Sequence, residues 1–315
     1  MKKTLKNLIV ITALFCSYNF TVLAETKTFN TVTKALNYTG NKATVKKVII
    51  TGKISGSDYS ASSEWSKFRT LDTTFSNIEA VEILTNQDIP DYDTTNRCSL
   101  FYLREQTMEL KWLKNFSAPN VKYIGKRAFY ECSNLTTVNF PSVKTIENRT
   151  FWGCKNLTTV NFPLVTTIGN NTFYKCSNLT SVKFPLVTTI GNNAFSDCEN
   201  LTSINFPSVT TIKEDAFYGC ENLTTVNFPS ITSIEEDAFS GCKNLVSATF
   251  GTGFKTKTEI QFGKKVFFNV KTENIDLILG KYVLPLPDLN LKIWQNDNFV
   301  NNKDYIWKSI KIKDK

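Results

Sequence analysis

Cysteines stand at positions 132, 154, 176, 198, 220 and 242, each 22 residues after the last. Thiols placed so regularly suggest metal binding or disulfide bridging, and the rest of the sequence bears on both. No C-x-x-C pair exists, so the ladder lacks metal-ligand spacing. There is no histidine, which removes imidazole ligands, every His-dependent triad and the commonest general base. A bridge between neighbouring rungs is geometrically open, since stacked strands lie ~5 Å apart. Against it, each cysteine falls at an inward position beside a phenylalanine, where a small apolar thiol packs well. Past the N-terminal leader the cysteine count is seven with Cys98, so at least one stays unpaired within a monomer. The expectation is a free, buried thiol ladder.

Carboxylates offer the other chemistry. Glu214-Asp215 and Glu235-Glu236-Asp237 are acidic clusters, and paired carboxylates serve glycoside hydrolysis. Both clusters occupy variable positions between an apolar Ile and a Phe, where a solvated turn is the preferred reading. "GTGF" (251–254) lacks the downstream glycine or lysine of a phosphate loop, so it reads as a turn. No residue is assigned a catalytic, cofactor-binding or metal role, and the chain reads as a non-enzyme.

What positions these residues is a repeat. Between the cysteines runs C-x-N-L-[TV]-x-V-x-F-P-x-V-x-x-I-x-x-x-[AT]-F-x-x, nearly unchanged, as in "NLTTVNFPLVTTI" from 156 and "NLTSVKFPLVTTI" from 178. Residues 111–131 form a degenerate copy, with Leu113, Phe116, Pro119, Val121, Ile124, Ala128 and Phe129 on template positions. A fixed period in this range with L-x-x-[IV]-x-F marks a leucine-rich-repeat solenoid. In the 156–176 copy, Leu157, Val160 and Phe162 point inward from a short strand while Thr158, Thr159 and Asn161 point out. Pro163 ends the strand because it cannot donate to a ladder. Val165 and Ile168 turn a second apolar edge inward, and Phe173 and Cys176 fill the back. Asn156 precedes the strand, where a buried amide could satisfy backbone groups at the bend. One copy buries too little to fold alone, so neighbouring copies cover its faces and complete its hydrogen bonds. The fold class expected is α+β, mostly β: a solenoid of 22-residue repeats with N- and C-terminal caps.

The sequence also resembles the BspA-like leucine-rich-repeat proteins of host-associated bacteria. Their repeat reads approximately L-x-x-I-x-L-P-x-S-[LV]-x-x-I-G-x-x-A-F-x-x-C, and "LTTVNFPLVTTIGNNTFYKC" (157–176) and "LTSVKFPLVTTIGNNAFSDC" (179–198) carry it almost position by position. Two departures are visible: Phe replaces the strand Leu before Pro, and the loop after Pro is one residue shorter. The resemblance covers about 111–250. It implies attachment to host matrix proteins and other cells.

The ends read differently. Lys2, Lys3 and Lys6 precede an apolar run from Leu8 to Cys16, and Val22-Leu23-Ala24 supplies a cleavage pattern, so residues 1–24 read as a secretory signal peptide. Residues 25–110 read as the leading cap with irregular coils: Phe29, Val32, Ala35 and Leu36 are spaced for a helix, and "VKKVIITG" (45–52) reads as a strand. The solenoid spans 111–250. Residues 251–315 read as the trailing cap, with strands in "NIDLILG" (274–280) and "DYIWKSIKI" (304–312) separated by Pro285 and Pro287. No later stretch is apolar enough to span a bilayer, so the chain is expected to be exported, not membrane-spanning, and secreted or held at the cell surface. The formal charge is +9, without the clustered patch of a nucleic-acid binder.

Surface rows remain. Thr137, Asn139, Thr159, Asn161, Ser181, Lys183, Ser203, Asn205, Thr225 and Asn227 form an outward polar face; Thr rows suggest ice binding, but these are mixed and broken by Lys183. "NLT" fits the glycosylation pattern, yet the repeat explains it. The residue after the inward Phe reads Tyr130, Trp152, Tyr174, Ser196, Tyr218, Ser240, a line of aromatics suited to a protein or glycan contact or to shielding the coil's edge. The preceding turns run from "GKRA" (125–128) through "GNNT" and "GNNA" to "EEDA" (235–238), a charge gradient from basic to acidic. Tyr130, Trp152, Tyr174, Tyr218, Lys126 and Arg127 are therefore the candidate partner-binding residues. The expected function is a secreted or surface-displayed binding and adhesion protein contacting host proteins or other cells; the alternative is a glycan-binding or glycan-active protein. No cofactor is expected, and the oligomeric state is open.

Overall fold

The computed structural model describes residues 25–51, 71, 79–84, 113–284 and 309–313. The leader, Cys98, Pro285 and Pro287 lie outside them. The described chain is a stack of coils, each contributing one strand to a main parallel sheet. Strands Glu25–Phe29, Val45–Ile50, Ala80–Ile83, Asn115–Ser117, Thr137–Asn139, Thr159–Asn161 and Ser181–Lys183 pair in that order, and a second run continues through Ser203–Asn205, Thr225–Phe228, Ser247–Phe250, Asp276–Gly280 and Ser309–Lys313. A second wall pairs two-residue strands, from Tyr123–Ile124 through Thr145–Ile146, Thr167–Ile168, Thr189–Ile190, Thr211–Ile212 and Ser233–Ile234 to Gln261–Phe262. This wall runs unbroken past the coil where the main sheet divides. Register follows the period, with Val160 opposite Val182 and Ile190 opposite Ile212.

Two columns of phenylalanine fill the interior. Phe129, Phe151, Phe173, Phe195, Phe217, Phe239 and Phe267 stack ring on ring with centroids 5.2–5.7 Å apart and planes within 10° of parallel. The strand phenylalanines, from Phe116 to Phe250, pack against them at tilted or edge-on angles, except that Phe206 lies only 28° from parallel with Phe195. A single solenoid period therefore places like rings at offset-stacking distance without any side chain leaving its column. Thr150 and Thr172 are fully buried in the column that holds alanine in other coils. Each donates its hydroxyl within its own turn, to Glu147 O and Gly169 O, both at 2.7 Å. A buried hydroxyl so bonded carries little penalty.

The six thiols are buried and free. Those of Cys154, Cys176, Cys198, Cys220 and Cys242 each donate to the carbonyl of the inward Phe one coil earlier, at 3.1–3.3 Å. Burial holds all six far above the ordinary thiol range, so they are poor nucleophiles.

Three sequence expectations need correction. Asn156 does not cap a buried bend: Asn156, Asn178, Asn200, Asn222 and Asn244 each donate from Nδ2 to Oδ1 of the asparagine one coil earlier, at 3.1–3.3 Å. This amide ladder runs along the surface, because identical side chains one coil pitch apart are already in register to bond. Phe29 belongs to the strand Glu25–Phe29 and not to the helix, which spans Val32–Leu36 with Thr31 capping Lys34 N–H. Parallel pairing with Val45–Ile50 claims residues 25–29 as strand before the helix begins. The repeat also continues beyond 250: Phe267 stacks on Phe239 and Leu279 pairs with Phe250, although the spacing lengthens from 22 residues to 28 between Phe239 and Phe267.

Candidate interaction edge

Each coil has two residues with left-handed backbone just before and after its inward Phe. Arg127, Arg149, Asn171, Asn193, Asp215 and Asp237 occupy the first position, and Glu131, Gly153, Lys175, Asp197, Gly219 and Gly241 the second. The conformation is costly for non-glycine residues, yet here it aims backbone N–H groups at the next coil. Arg127 N–H donates to Asn148 O, Phe129 N–H to Thr150 O and Glu131 N–H to Trp152 O, and the triplet recurs down the stack. The edge is thus held by three backbone hydrogen bonds per coil outside any sheet. Asn148 and Asn170 add side-chain bonds to the N–H of Asn170 and Asn192, at 2.8 and 3.0 Å.

On this scaffold the candidate residues come together in part. One turn joins the charged and aromatic rows, since Tyr130 N–H bonds Arg127 O at 3.1 Å and Tyr218 N–H bonds Asp215 O at 3.1 Å. Lys126 is exposed and Arg127 half-buried. Tyr130 and Trp152 stack at 4.6 Å with planes 3° apart, and Trp152 and Tyr174 at 5.5 Å and 22°. Lys175 Nζ lies 5.2 Å from the centre of the Tyr174 ring. The stack therefore covers both faces of Trp152 and one face each of Tyr130 and Tyr174. Pyranose rings dock on open aromatic faces, and the faces shared within this stack are closed to them. Tyr218 does not join the stack: Ser196 is buried between it and Tyr174, and Tyr218 stands 46% exposed.

The charge row also extends further than its sequence reading. The coil after the acidic clusters carries Lys264 and Lys265 at the corresponding positions, so the gradient reverses instead of ending on acid. Within the acidic stretch, Asp215 is pushed up to about 6, first by burial and then by the carboxylates of Asp237, Glu214 and Glu236. Burial likewise raises Asp237, against the pull of Lys265 and a bond from Ser240. Among the described residues no group of three or more His, Cys, Asp or Glu is placed to hold a metal ion. Arg149 lies in the turn row that the sequence reading already aligned, whereas Lys155, Lys175 and Asp197 lie in neighbouring columns that it did not align.

The polar face is exposed apart from half-buried Asn227, but much of its neighbouring threonine is engaged. Thr158, Thr180, Thr202 and Thr224 each donate to the carbonyl of the threonine one coil earlier. These are the threonines of the "NLT" triplets, which bind the coils together.

The family description BspA type Leucine rich repeat region (6 copies) matches residues 104–212 and 166–281. The chain belongs to the BspA-type leucine-rich-repeat family. Like other BspA-type chains it has a protein-interaction fold. A leucine-rich-repeat protein from T. pallidum is 30% identical, with 50% of this chain and 76% of that one covered and a TM-score of 0.45. One from Bacteroides ovatus is 22% identical over 75% of this chain and 69% of its own, with a TM-score of 0.41. A leucine rich cell surface protein from Faecalibacterium prausnitzii is 18% identical over 86% and 84%, with a TM-score of 0.33. No curated protein matches the chain. No helix among the described residues is long and apolar enough to cross a membrane.

Proposed function

We propose that this BspA-type protein is exported through residues 1–24 and acts, secreted or at the cell surface, as a non-catalytic adhesion module whose graded edge binds protein. The observation that carries this reading is the edge itself. Backbone hydrogen bonds fix it coil by coil, three stacked rings run along its leading part, and basic side chains precede acidic ones from Lys126 to Asp237, before the sign reverses at Lys264 and Lys265. A rigid edge loses little conformational freedom on binding. Aromatic residues at the centre of such a contact carry most of the affinity, while flanking charge sets orientation and association rate. The partner-binding residues proposed are Tyr130, Trp152, Tyr174, Tyr218, Lys126 and Arg127, with the partner's acidic part near Lys126 and Arg127.

The test is capture of purified host matrix proteins by the immobilised chain, beside a glycan array. Trp152→Ala is expected to weaken capture by ~2 kcal/mol or more while its melting curve shows a folded chain. Unchanged capture by that variant would move the site to the Thr/Asn face or the ends. Selective glycan binding that ignores Trp152 would favour the glycan-binding alternative.

A further inference from the structure

We infer that the graded edge is self-complementary and that its partner is a second copy of this chain, packed antiparallel about a two-fold axis. The inference rests on the reading of the edge as a protein contact and names the protein. Its starting point is a segregation of charge along the solenoid. Residues 113–190 contain nine Lys and Arg against two Asp and Glu, whereas residues 191–250 contain two against eight. Parallel packing of two such chains sets like charge on like; antiparallel packing sets opposite charge on opposite.

The register follows from the columns. Six successive turns carry Lys126-Arg127, Asn148-Arg149, Asn170-Asn171, Asn192-Asn193, Glu214-Asp215 and Glu236-Asp237. Their sign inverts about the point between the third and fourth turns. A two-fold axis there brings the first turn against the sixth of the other copy, the second against the fifth, and the two asparagine turns against each other. An isologous interface requires this kind of inversion.

Two further columns pair in part about the same point, with Glu131 opposite Gly241 the unmatched position. In the aromatic column, Tyr130 then meets Ser240 and Tyr174 meets Ser196, each a ring against a buried serine, while Trp152 meets Tyr218. In the column of the second left-handed residue, Lys175 meets Asp197. Two positions further along the coil, past the buried cysteine, Lys155 meets Glu221, which already bonds Lys243 at 2.6 Å within its own chain. Burial, and after it the neighbouring carboxylates of Asp237, Glu214 and Glu236, hold Asp215 above its ordinary range; cationic side chains from a second copy relieve the carboxylate part of that strain. Backbone bonds between coils keep the columns at fixed pitch, so all six turns meet in register together.

Charge swapping tests the pairing. The chain should sediment as a concentration-dependent dimer at low salt, and added salt should weaken it. K126E/R127E and E236K/D237K should each raise the dimer dissociation constant about tenfold or more, because both contacts become like-charged. The new side chains fit the backbone, since Glu131 and Lys265 already hold the left-handed conformation of positions 127 and 237. An equal mixture of the two variants should recover the dimer, because in the mixed pair both contacts again join opposite charges. Parent chain that stays monomeric at low salt, variants that dimerise like the parent, or a mixture that fails to recover would each overturn the pairing. Matrix-protein capture that depends on Trp152 would stand in any of those cases, so failure of the pairing and failure of the edge reading are separable.

Discussion

Phe173→Ala removes the central ring of the inner column. Phe173 is wholly buried, stacks on Phe151 at 5.4 Å and on Phe195 at 5.2 Å, and touches Phe162 and Phe184 at tilted angles. Truncating a buried Phe to Ala costs ~3–5 kcal/mol from lost transfer energy and residual cavity. The upper half of that range is expected here, because backbone hydrogen bonds on both sides of position 173 restrain the coils from closing the gap. Phe173→Leu retains most of the volume and should cost about 1.5 kcal/mol or less. Coil stability depends on neighbour interfaces, so the alanine variant should also broaden the transition as the two halves of the stack lose their coupling. Urea unfolding followed by far-UV circular dichroism and by tryptophan fluorescence measures both effects. An alanine variant within about 0.5 kcal/mol of the parent, or alanine and leucine variants of equal stability, would refute the column as the source of cohesion.

Further outcomes follow from other features. In native chain the thiols at 132, 154, 176, 198, 220 and 242 should resist alkylation and react once the chain is denatured without reductant; an intact mass showing bridges among them would contradict the buried ladder. Gly241 has φ +75, and an added Cβ would find its nearest neighbours at 3.5 Å, so Gly241→Ala isolates backbone strain and should cost about 1 kcal/mol by thermal unfolding. Asp215 is raised from 3.8 to about 6 in the folded chain, so the native state holds its proton more tightly than the unfolded one. Its contribution to stability therefore rises as pH falls from about 6 toward about 4, and Asp215→Asn should remove that slope and stabilise the chain at neutral pH. Glu25 and Glu79 are lowered by their lysine neighbours and act in the opposite sense, with stability lost only as pH drops below 4.5.

Much of this architecture is legible because one period governs it. The 22-residue period together with its apolar pattern places Phe173, Ile168 and Leu157 inside, and the structure buries all three. What escaped are features in which two coils act on each other. The Asn156–Asn178 ladder and the Thr158 bond to the Thr136 carbonyl need the coil pitch as well as the residue type. Left-handed Lys175 and Arg149 carry no glycine to announce them. The coil after 250 kept "VFF" and "NIDLIL" in template order, but an inserted loop and Val270 in place of cysteine hid it from a count by 22. At the edge, the aromatic and charged rows were readable as columns, whereas the direction of the ring faces was not, because it depends on the stacking of Trp152 between Tyr130 and Tyr174.

The central claim, that the graded edge is the binding surface, is tested most directly by hydrogen–deuterium exchange on the chain with and without a captured protein partner. The account predicts added protection in the turns at 126–131, 148–153 and 170–175, on the edge that carries Trp152. Protection confined to the strands at 137–139, 159–161 and 181–183, with these turns unchanged, would place the contact on the polar sheet face and contradict it.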